Sequence, residues 1–198
     1  PFPVVPPEGT GGPAWRRLRE DALAPRSPEA MTAGVLGLGR VGRRVAAALA
    51  ALGARVLFHD LRPIDPAAVA AAGAEPVPLD VLHAESEVLT LHVDGRPANR
   101  GLYGAARLAA LRDDVVLMNA SRGLVIDPAA LRGFLDARPR ATAILDVHEP
   151  EPVPPGHPLL GHPRAILTPH VASRTEAAQR AMSDVVDDIL AVLAGRPP

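Results

Sequence analysis

From residue 32 onward the chain alternates two hydrophobic patterns. Short, dense, β-branched-rich apolar runs stand at 33–36, 55–58, 88–93, 115–119, 143–146 and 165–167. Between them lie stretches whose apolar residues recur at helical spacing, at 41–52, 66–72, 79–84, 105–111 and 128–137. Runs apolar on both sides belong to strands covered on both faces, and strand-helix alternation of this kind predicts a parallel sheet. A further short strand is expected at 75–77. Asp65-Pro66 and Asp127-Pro128 each put a capping carboxylate before a proline at the first helical position, which starts a helix sharply. Ser173 with Glu176 reads as a capping box for a helix to about Ala194, with Ala177, Ala181, Val185, Ile189 and Val192 as its apolar stripe. The expected fold is α/β, a Rossmann-like doubly wound parallel sheet with helices on both faces.

Residues 1–30 break this rhythm. They are rich in Pro, Gly and Arg, carry no sustained period, and read as an arm or linker. One short helix is expected at 15–23, with Trp15 as a packing anchor. Residues 31–172 then form the main domain, and 173–198 a C-terminal helix. The first residue is Pro rather than Met, and the expectation is a fragment, a processed product or a truncated form.

Composition removes several classes of chemistry. The chain has 198 residues, 47% hydrophobic and 22% charged, with net charge −1. That balance gives no electrostatic case for nucleic acid or an acidic membrane surface. All 21 basic residues are Arg, so no lysine Schiff base or lysine general base is possible. There is no Cys, which removes disulfides, thiolate nucleophiles and Cys-ligated metals, and no metal site is expected. No apolar run is long enough for a membrane-spanning helix, and a cytoplasmic enzyme is the default expectation.

The first strand runs into Gly37-Leu38-Gly39-Arg40-Val41-Gly42, a G-x-G-x-x-G turn that opens a helix. In such a turn the first glycine bends the chain. The second lets the backbone approach a pyrophosphate, and the third lets the helix pack on the strand. The helix N-terminus supplies free N–H groups. The motif alone is weak, but the next strand ends at His59-Asp60, where a carboxylate is placed to accept hydrogen bonds from ribose hydroxyls. Dinucleotide binding follows, with NAD favoured over NADP because Asp60 would repel a 2′-phosphate. Arg62 lies nearby as the one feature on the other side.

In a doubly wound sheet ligands bind at the carboxyl ends of the strands. The polar residues there are Asp60; His92 and Asp94; Asn119, Ser121 and Arg122; Asp146, His148, Glu149 and Glu151; and Thr168 and His170. Arg122 is suited to grip a carboxylate with two hydrogen bonds. His170 is suited to pass a proton near neutral pH. Glu151 is suited to bond the other ring nitrogen and favour its protonated form. Each also has an ordinary structural explanation, and placement at one cofactor groove is what sets them apart. His59, His83, His148, His157 and His162 read as structural or exposed.

Four separated motifs resemble the D-isomer-specific 2-hydroxyacid dehydrogenases: residues 37–42, Asn119-Ala120-Ser121-Arg122-Gly123-Leu124-Val125, Leu145-Asp146-Val147-His148-Glu149-Pro150-Glu151-Pro152 and Leu167-Thr168-Pro169-His170. The resemblance covers roughly residues 31–196. It implies an NAD-dependent oxidoreductase that interconverts a 2-oxo acid and a D-2-hydroxy acid. Arg122 would bind the substrate carboxylate and polarise its carbonyl, His170 would be the acid-base, and Glu151 would hold His170. For the cofactor it implies Gly37, Gly39, Arg40, Val41 and Gly42 at the pyrophosphate and Asp60 at the ribose. His92 and Val93 would lie at the adenine side, with Ala120 and Asp146 at the nicotinamide. A homodimer built on the cofactor domain is the family expectation.

The resemblance also implies what lies outside this chain. The family carries most of a second, flavodoxin-like substrate domain before the glycine-rich turn, and the helix from Ser173 would pack on that domain. Asp94-Gly95-Arg96 stands where the family has a Pro-Leu-Thr-like run. Residues 39–42, 56–58 and 146–149 look a little like the C-terminal-binding-protein branch. The alternative reading is therefore a non-enzymatic, NAD(H)-responsive binding module of corepressor type.

Overall fold

A computed structural model describes residues 11–20, 27–178 and 185–196 of the chain. Seven strands form one sheet: β1 (Thr32–Leu36), β2 (Arg55–His59), β3 (Ala74–Pro76), β4 (Val88–Leu91), β5 (Val116–Asn119), β6 (Thr142–Leu145) and β7 (Ala165–Leu167). Their spatial order is β3-β2-β1-β4-β5-β6-β7, and every neighbouring pair is parallel. The order runs one way from β1 to β3 and the other way from β4 to β7. The reversal lies between β1 and β4, where Leu36 pairs with Leu91.

The helices are α1 (Gly12–Glu20), α2 (Arg40–Ala51), α3 (Pro66–Ala72), α4 (Leu79–Glu85), α5 (Ala105–Ala109), α6 (Pro128–Ala137) and α7 (Val185–Leu193). Successive strand residues point to opposite faces, and the two cores show it. Val35, Val56 and Phe58 pack with Leu38, Ala46 of α2 and Ala72 of α3 on one face. Leu36 and Leu57 face the other way, into the larger core with Leu82 of α4, Leu108 of α5 and Leu131 and Leu135 of α6. So the helices cover both faces. No helix among the described residues is long and apolar enough to cross a membrane.

The Asp-Pro starts form as their chemistry dictates. The Asp65 carboxylate accepts from the Ala67 N–H at 3.2 Å, and that of Asp127 from Ala129 and Ala130 at 2.9 and 3.1 Å. Two expected local features differ. Trp15 lies in α1 but is 48% exposed, so it is no packing anchor; the residues that follow it, Arg16 and Arg17, are charged and exposed as well. The expected helix residues 21–23 lie outside the described residues. At the other end, the side chain that caps the helix opening at Glu176 is Thr175, whose hydroxyl accepts from the Ala178 N–H at 3.2 Å, rather than Ser173. Ala181 of the expected stripe lies outside the described residues. In α7, Ile189 and Val192 are exposed, with Val186, Leu190 and Leu193 beside them.

Gly34 shows how tightly α4 sits on the sheet. A Cβ there would come within 2.0 Å of the Ser86 hydroxyl, which donates to the Leu82 carbonyl at 2.5 Å. Gly34→Ala should therefore overpack the core and cost about 2 kcal/mol, or roughly 4–8 °C of Tm. Gly133, exposed inside α6 with nothing within 4 Å of an added Cβ, is the opposite case. Gly133→Ala should stabilise by about 0.5–1 kcal/mol, because the unfolded chain loses freedom and nothing clashes. Thermal unfolding of both variants checks the pair.

Candidate active site

The three glycines of the turn after β1 are glycine for different reasons. Gly37 has φ 90°, and its missing Cβ would sit 2.7 Å from the His92 carbonyl oxygen, so the turn closes against the loop after β4. A Cβ on Gly42 would meet the Gly37 carbonyl at 2.0 Å, so α2 could not approach β1 with any side chain there. Gly39 has neither reason: its φ is −71°, it is exposed, and nothing lies within 4 Å of an added Cβ. The fold leaves this space open, and a side chain would fill it. Gly39 is also the N-cap of α2, with no side chain capping the first turn, and Arg40 and Val41 are exposed beside it. An uncapped helix end facing an open cradle suits a pyrophosphate.

Asp60 stands at the end of β2. One carboxylate oxygen accepts from the Leu38 N–H at 2.7 Å and the other from the Arg62 N–H at 3.0 Å. It is thus tied directly to the glycine-rich turn while half exposed. A cavity of about 440 Å³ adjoins it, lined by His59, Arg62, Ile64, Val69 and Val77 among others.

Beyond β4, His92 and Val93 are half-buried. The His92 ring shares a 3.0 Å hydrogen bond with the Thr90 hydroxyl, and burial pushes its pKa down, favouring the neutral ring. The next residues form a clamp that the sequence did not suggest. Arg96 grips the Asp94 carboxylate with two bonds of 2.6 and 2.5 Å, and Asn99 donates to the same residue. The Arg96 bond holds the Asp94 carboxyl down at about 2. The clamp sets Gly95 against Arg122, where a Cβ would lie 3.0 Å from the Arg122 Cγ.

The turn after β5 is organised by Asn119, which is buried. Its side-chain oxygen accepts from the Ser121 N–H and hydroxyl at 3.0 and 2.7 Å, and its amide donates to the Arg122 carbonyl at 3.0 Å. Ala120 is left exposed at the tip. Arg122 is exposed too, and one guanidinium nitrogen donates to the Ser121 carbonyl at 2.7 Å.

Asp146, at the end of β6, reaches across to the segment after β7. Its carboxylate accepts from the Thr168 hydroxyl at 2.5 Å and from the Val171 and Ala172 N–H groups at 2.9 and 2.8 Å. Burial works against the charge, but these donors outweigh it and hold the carboxyl below its usual value. The bonds curl the chain so that His170 takes φ 52°, in the left-handed region. That conformation is strained by roughly 1–3 kcal/mol for a non-glycine residue. The His170 N–H is pinned to the carbonyls of Asp146 and Thr168 at 2.9 and 3.0 Å. The His170 Nδ1 lies 3.0 Å from one Glu151 oxygen, and the other oxygen accepts from the His148 N–H at 2.7 Å. The hydrogen bond to His170 holds the Glu151 carboxyl below its usual value.

The structure therefore brings Glu151 and His170 into contact and sets Arg122 at a nearby strand end. No hydrogen bond joins Arg122 to either of them. The His170 and Glu151 side chains are 47% and 37% exposed, so the trio lies on an open surface and not in a cavity. Sequence reasoning named Asn119 and Thr168 as strand-end residues but gave them no task. Here they shape the turns that carry Arg122 and His170. A buried polar residue one to three positions before an exposed candidate was the available signal. His83 bonds Tyr103, His157 the Leu159 N–H and His162 Asp136, which is the structural reading given to them.

The chain matches the family described as D-isomer specific 2-hydroxyacid dehydrogenase, NAD binding domain, over residues 11–172. It is 38% identical over 167 residues to a D-3-phosphoglycerate dehydrogenase of Archaeoglobus fulgidus, covering 84% of this chain and 32% of that protein. It is 34% identical over 171 residues to a glyoxylate reductase of Aeropyrum pernix, covering 84% and 50%. The crystal structure of a glyoxylate reductase from Paecilomyes thermophila superposes with a TM-score of 0.78 at 31% identity, over 90% of this chain and 54% of that one. This chain thus spans about a third to a half of the length of these curated relatives.

Two expectations follow from the geometry. Gly39→Ala should cost no more than about 1 kcal/mol of stability, the usual loss of a poorer N-cap, because the added methyl meets nothing, yet weaken NADH at least tenfold in a calorimetric titration. Asp146 has a folded pKa below its unfolded one, so its contribution is present above the unfolded value and is lost as pH falls through the folded value. Asp146→Asn should lower the urea midpoint at pH 7 and flatten its decline below about pH 4, as read from unfolding curves taken across that range.

Proposed function

This chain belongs to the D-isomer specific 2-hydroxyacid dehydrogenases as their NAD-binding domain, and we propose that it serves NAD-dependent interconversion of a 2-oxo acid and a D-2-hydroxy acid. The observation that carries this reading is the Glu151–His170 contact at one end of the sheet, with Arg122 at the neighbouring strand ends and the open Gly39 cradle beyond the strand-order reversal.

Gly37, Gly39, Arg40, Val41 and Gly42 would hold the pyrophosphate and Asp60 the adenosine ribose. His92 and Val93 would line the adenine side, with Ala120 and Asp146 at the nicotinamide. When bound, the cofactor supplies the hydride in one direction and takes it up in the other. Arg122 pairs its guanidinium with the substrate carboxylate and draws charge toward the carbonyl oxygen. To do so it exchanges its bond to the Ser121 carbonyl for the substrate. Glu151 accepts from His170 Nδ1, so Nδ1 keeps its proton and Nε2 is the nitrogen that works. His170 Nε2 gives its proton to the carbonyl oxygen in reduction and takes the hydroxyl proton in oxidation. The His170 backbone is already pinned, so this geometry needs no reorganisation during the reaction.

The same reading includes residues 173–198 as a helix that packs on a substrate domain, supported by the exposed apolar face of α7. It includes a homodimer acting on a small molecule, as the family resemblance implies, and a cytoplasmic setting without nucleic acid or membrane, which the near-neutral charge balance supports. Nothing in the structure or the relatives favours the corepressor-type alternative.

NADH oxidation by the purified chain against a panel of 2-oxo acids tests the proposal. Turnover is expected when a substrate domain of the family is supplied with the chain, with kcat/KM falling about 10²–10³-fold in Arg122→Ala and only partly recovered in Arg122→Lys, which lacks the two-pronged geometry. NADH binding without turnover of any 2-oxo acid in the presence of that domain, or an undiminished Arg122→Ala, would overturn it.

A further inference from the structure

His148 is a buried histidine that touches the segments carrying Glu151, His170 and Arg122. It is 8% exposed, and its ring Nε2 lies 2.8 Å from the Thr168 carbonyl oxygen. A carbonyl only accepts, so Nε2 carries the proton and donates. That same carbonyl accepts the His170 N–H at 3.0 Å. The His148 peptide N–H donates to Glu151 at 2.7 Å, and the other oxygen of Glu151 holds the His170 ring. On the third side the His148 backbone is seated on Gly123, the residue after Arg122. A Cβ on Gly123 would fall 1.8 Å from the His148 carbonyl oxygen. The ring's remaining nitrogen, Nδ1, is buried without a partner. Its neighbour is the His157 ring, edge-on at 6.4 Å between centroids. The gap beside them is only about 10 Å³, at or below the room one water needs.

A histidine that merely filled space would not need its N–H aimed at Thr168. We propose that His148 is a positioning residue: its two N–H groups fix Thr168 and Glu151, which together hold His170, and its backbone contact with Gly123 keeps the Arg122 turn in register with them. It touches no substrate. It acts by keeping His170 in its left-handed conformation with Nδ1 toward Glu151. What His170 does there rests on the dehydrogenase reading, but how it is held does not.

Two substitutions separate this role from packing. His148→Phe keeps an aromatic ring and removes the N–H; His148→Gln keeps a donor of similar reach. In His148→Phe the His170 amide should exchange with solvent about fivefold faster, as expected for one lost hydrogen bond. Its ring ¹⁵N spectrum should change from a single Nδ1–H pattern to an averaged one. NADH affinity should stay at the parent value, and turnover should fall about 100-fold, the scale of a small misplacement at a reacting centre. His148→Gln should recover most of the exchange protection and the ring pattern. The proposal is overturned if His148→Phe leaves the His170 exchange and ring pattern as in the parent, or if His148→Gln is no better than His148→Phe. Should His148→Phe not fold, the parent protein decides alone: its ¹⁵N spectrum must show His148 protonated at Nε2 and bare at Nδ1, and the opposite tautomer overturns the proposal. Absence of turnover in the parent when a substrate domain is supplied counts against the dehydrogenase reading and leaves these spectra readable.

Discussion

The parallel pairing of β1 with both β2 and β4 is the constraint from which the rest follows. Because every strand runs the same way, all the strand C-termini open on one edge of the sheet. Because the order reverses between β1 and β4, the chains leaving those two strands turn apart and leave a crevice. In that crevice the Gly37 turn lies against the His92 carbonyl with no room for a Cβ. A second spacing, set by Asp146 and Glu151 reaching toward the segment after β7, closes the other end. Between these fixed ends lie Gly39, Ala120 and Arg122, all exposed and unobstructed.

The polar residues divide by what they hold. Asn119, Asp146 and Thr168 spend their hydrogen-bonding capacity on backbone turns and are buried or half-buried. Arg122, Glu151 and His170 are exposed; Arg122 bonds the Ser121 carbonyl, and Glu151 bonds the His170 ring and the His148 N–H. The first set costs desolvation, which dense internal bonding offsets. The second keeps a free valence toward solvent. A strained His170 backbone beside a bonded Asp146 is where the fold spends stability on orientation.

Much of this was legible beforehand. Asp65-Pro66 and Asp127-Pro128 mark their helix starts to the residue, because capping and proline act locally. The sheet was legible because runs buried on both faces are unmistakable when six recur. Strand-end polarity singled out Arg122, Glu151 and His170 as candidates, and the resemblance of the four motifs carries the roles proposed for them. What remained hidden depends on contacts between distant segments. Gly95 against Arg122 and Gly123 against His148 join residues far apart in sequence. The Asp94–Arg96 clamp needs a loop conformation that its composition does not announce. Trp15 and Ser173 misled for the reverse reason: each fits a local pattern, but no partner surface takes up Trp15 and Thr175 caps in place of Ser173.

The central claim is that the edge from Gly39 to His170 is one continuous dinucleotide and acid-base surface. Mapping backbone amide shifts while NAD⁺ is titrated into the protein tests it most directly. The account predicts saturable changes at residues 38–42, Asp60, His92, Val93 and Ala120, extending to Arg122 and His170 at the nicotinamide end. Changes confined to the cavity wall at Ile64, Val69 and Ala70, or none at saturating NAD⁺, would contradict it.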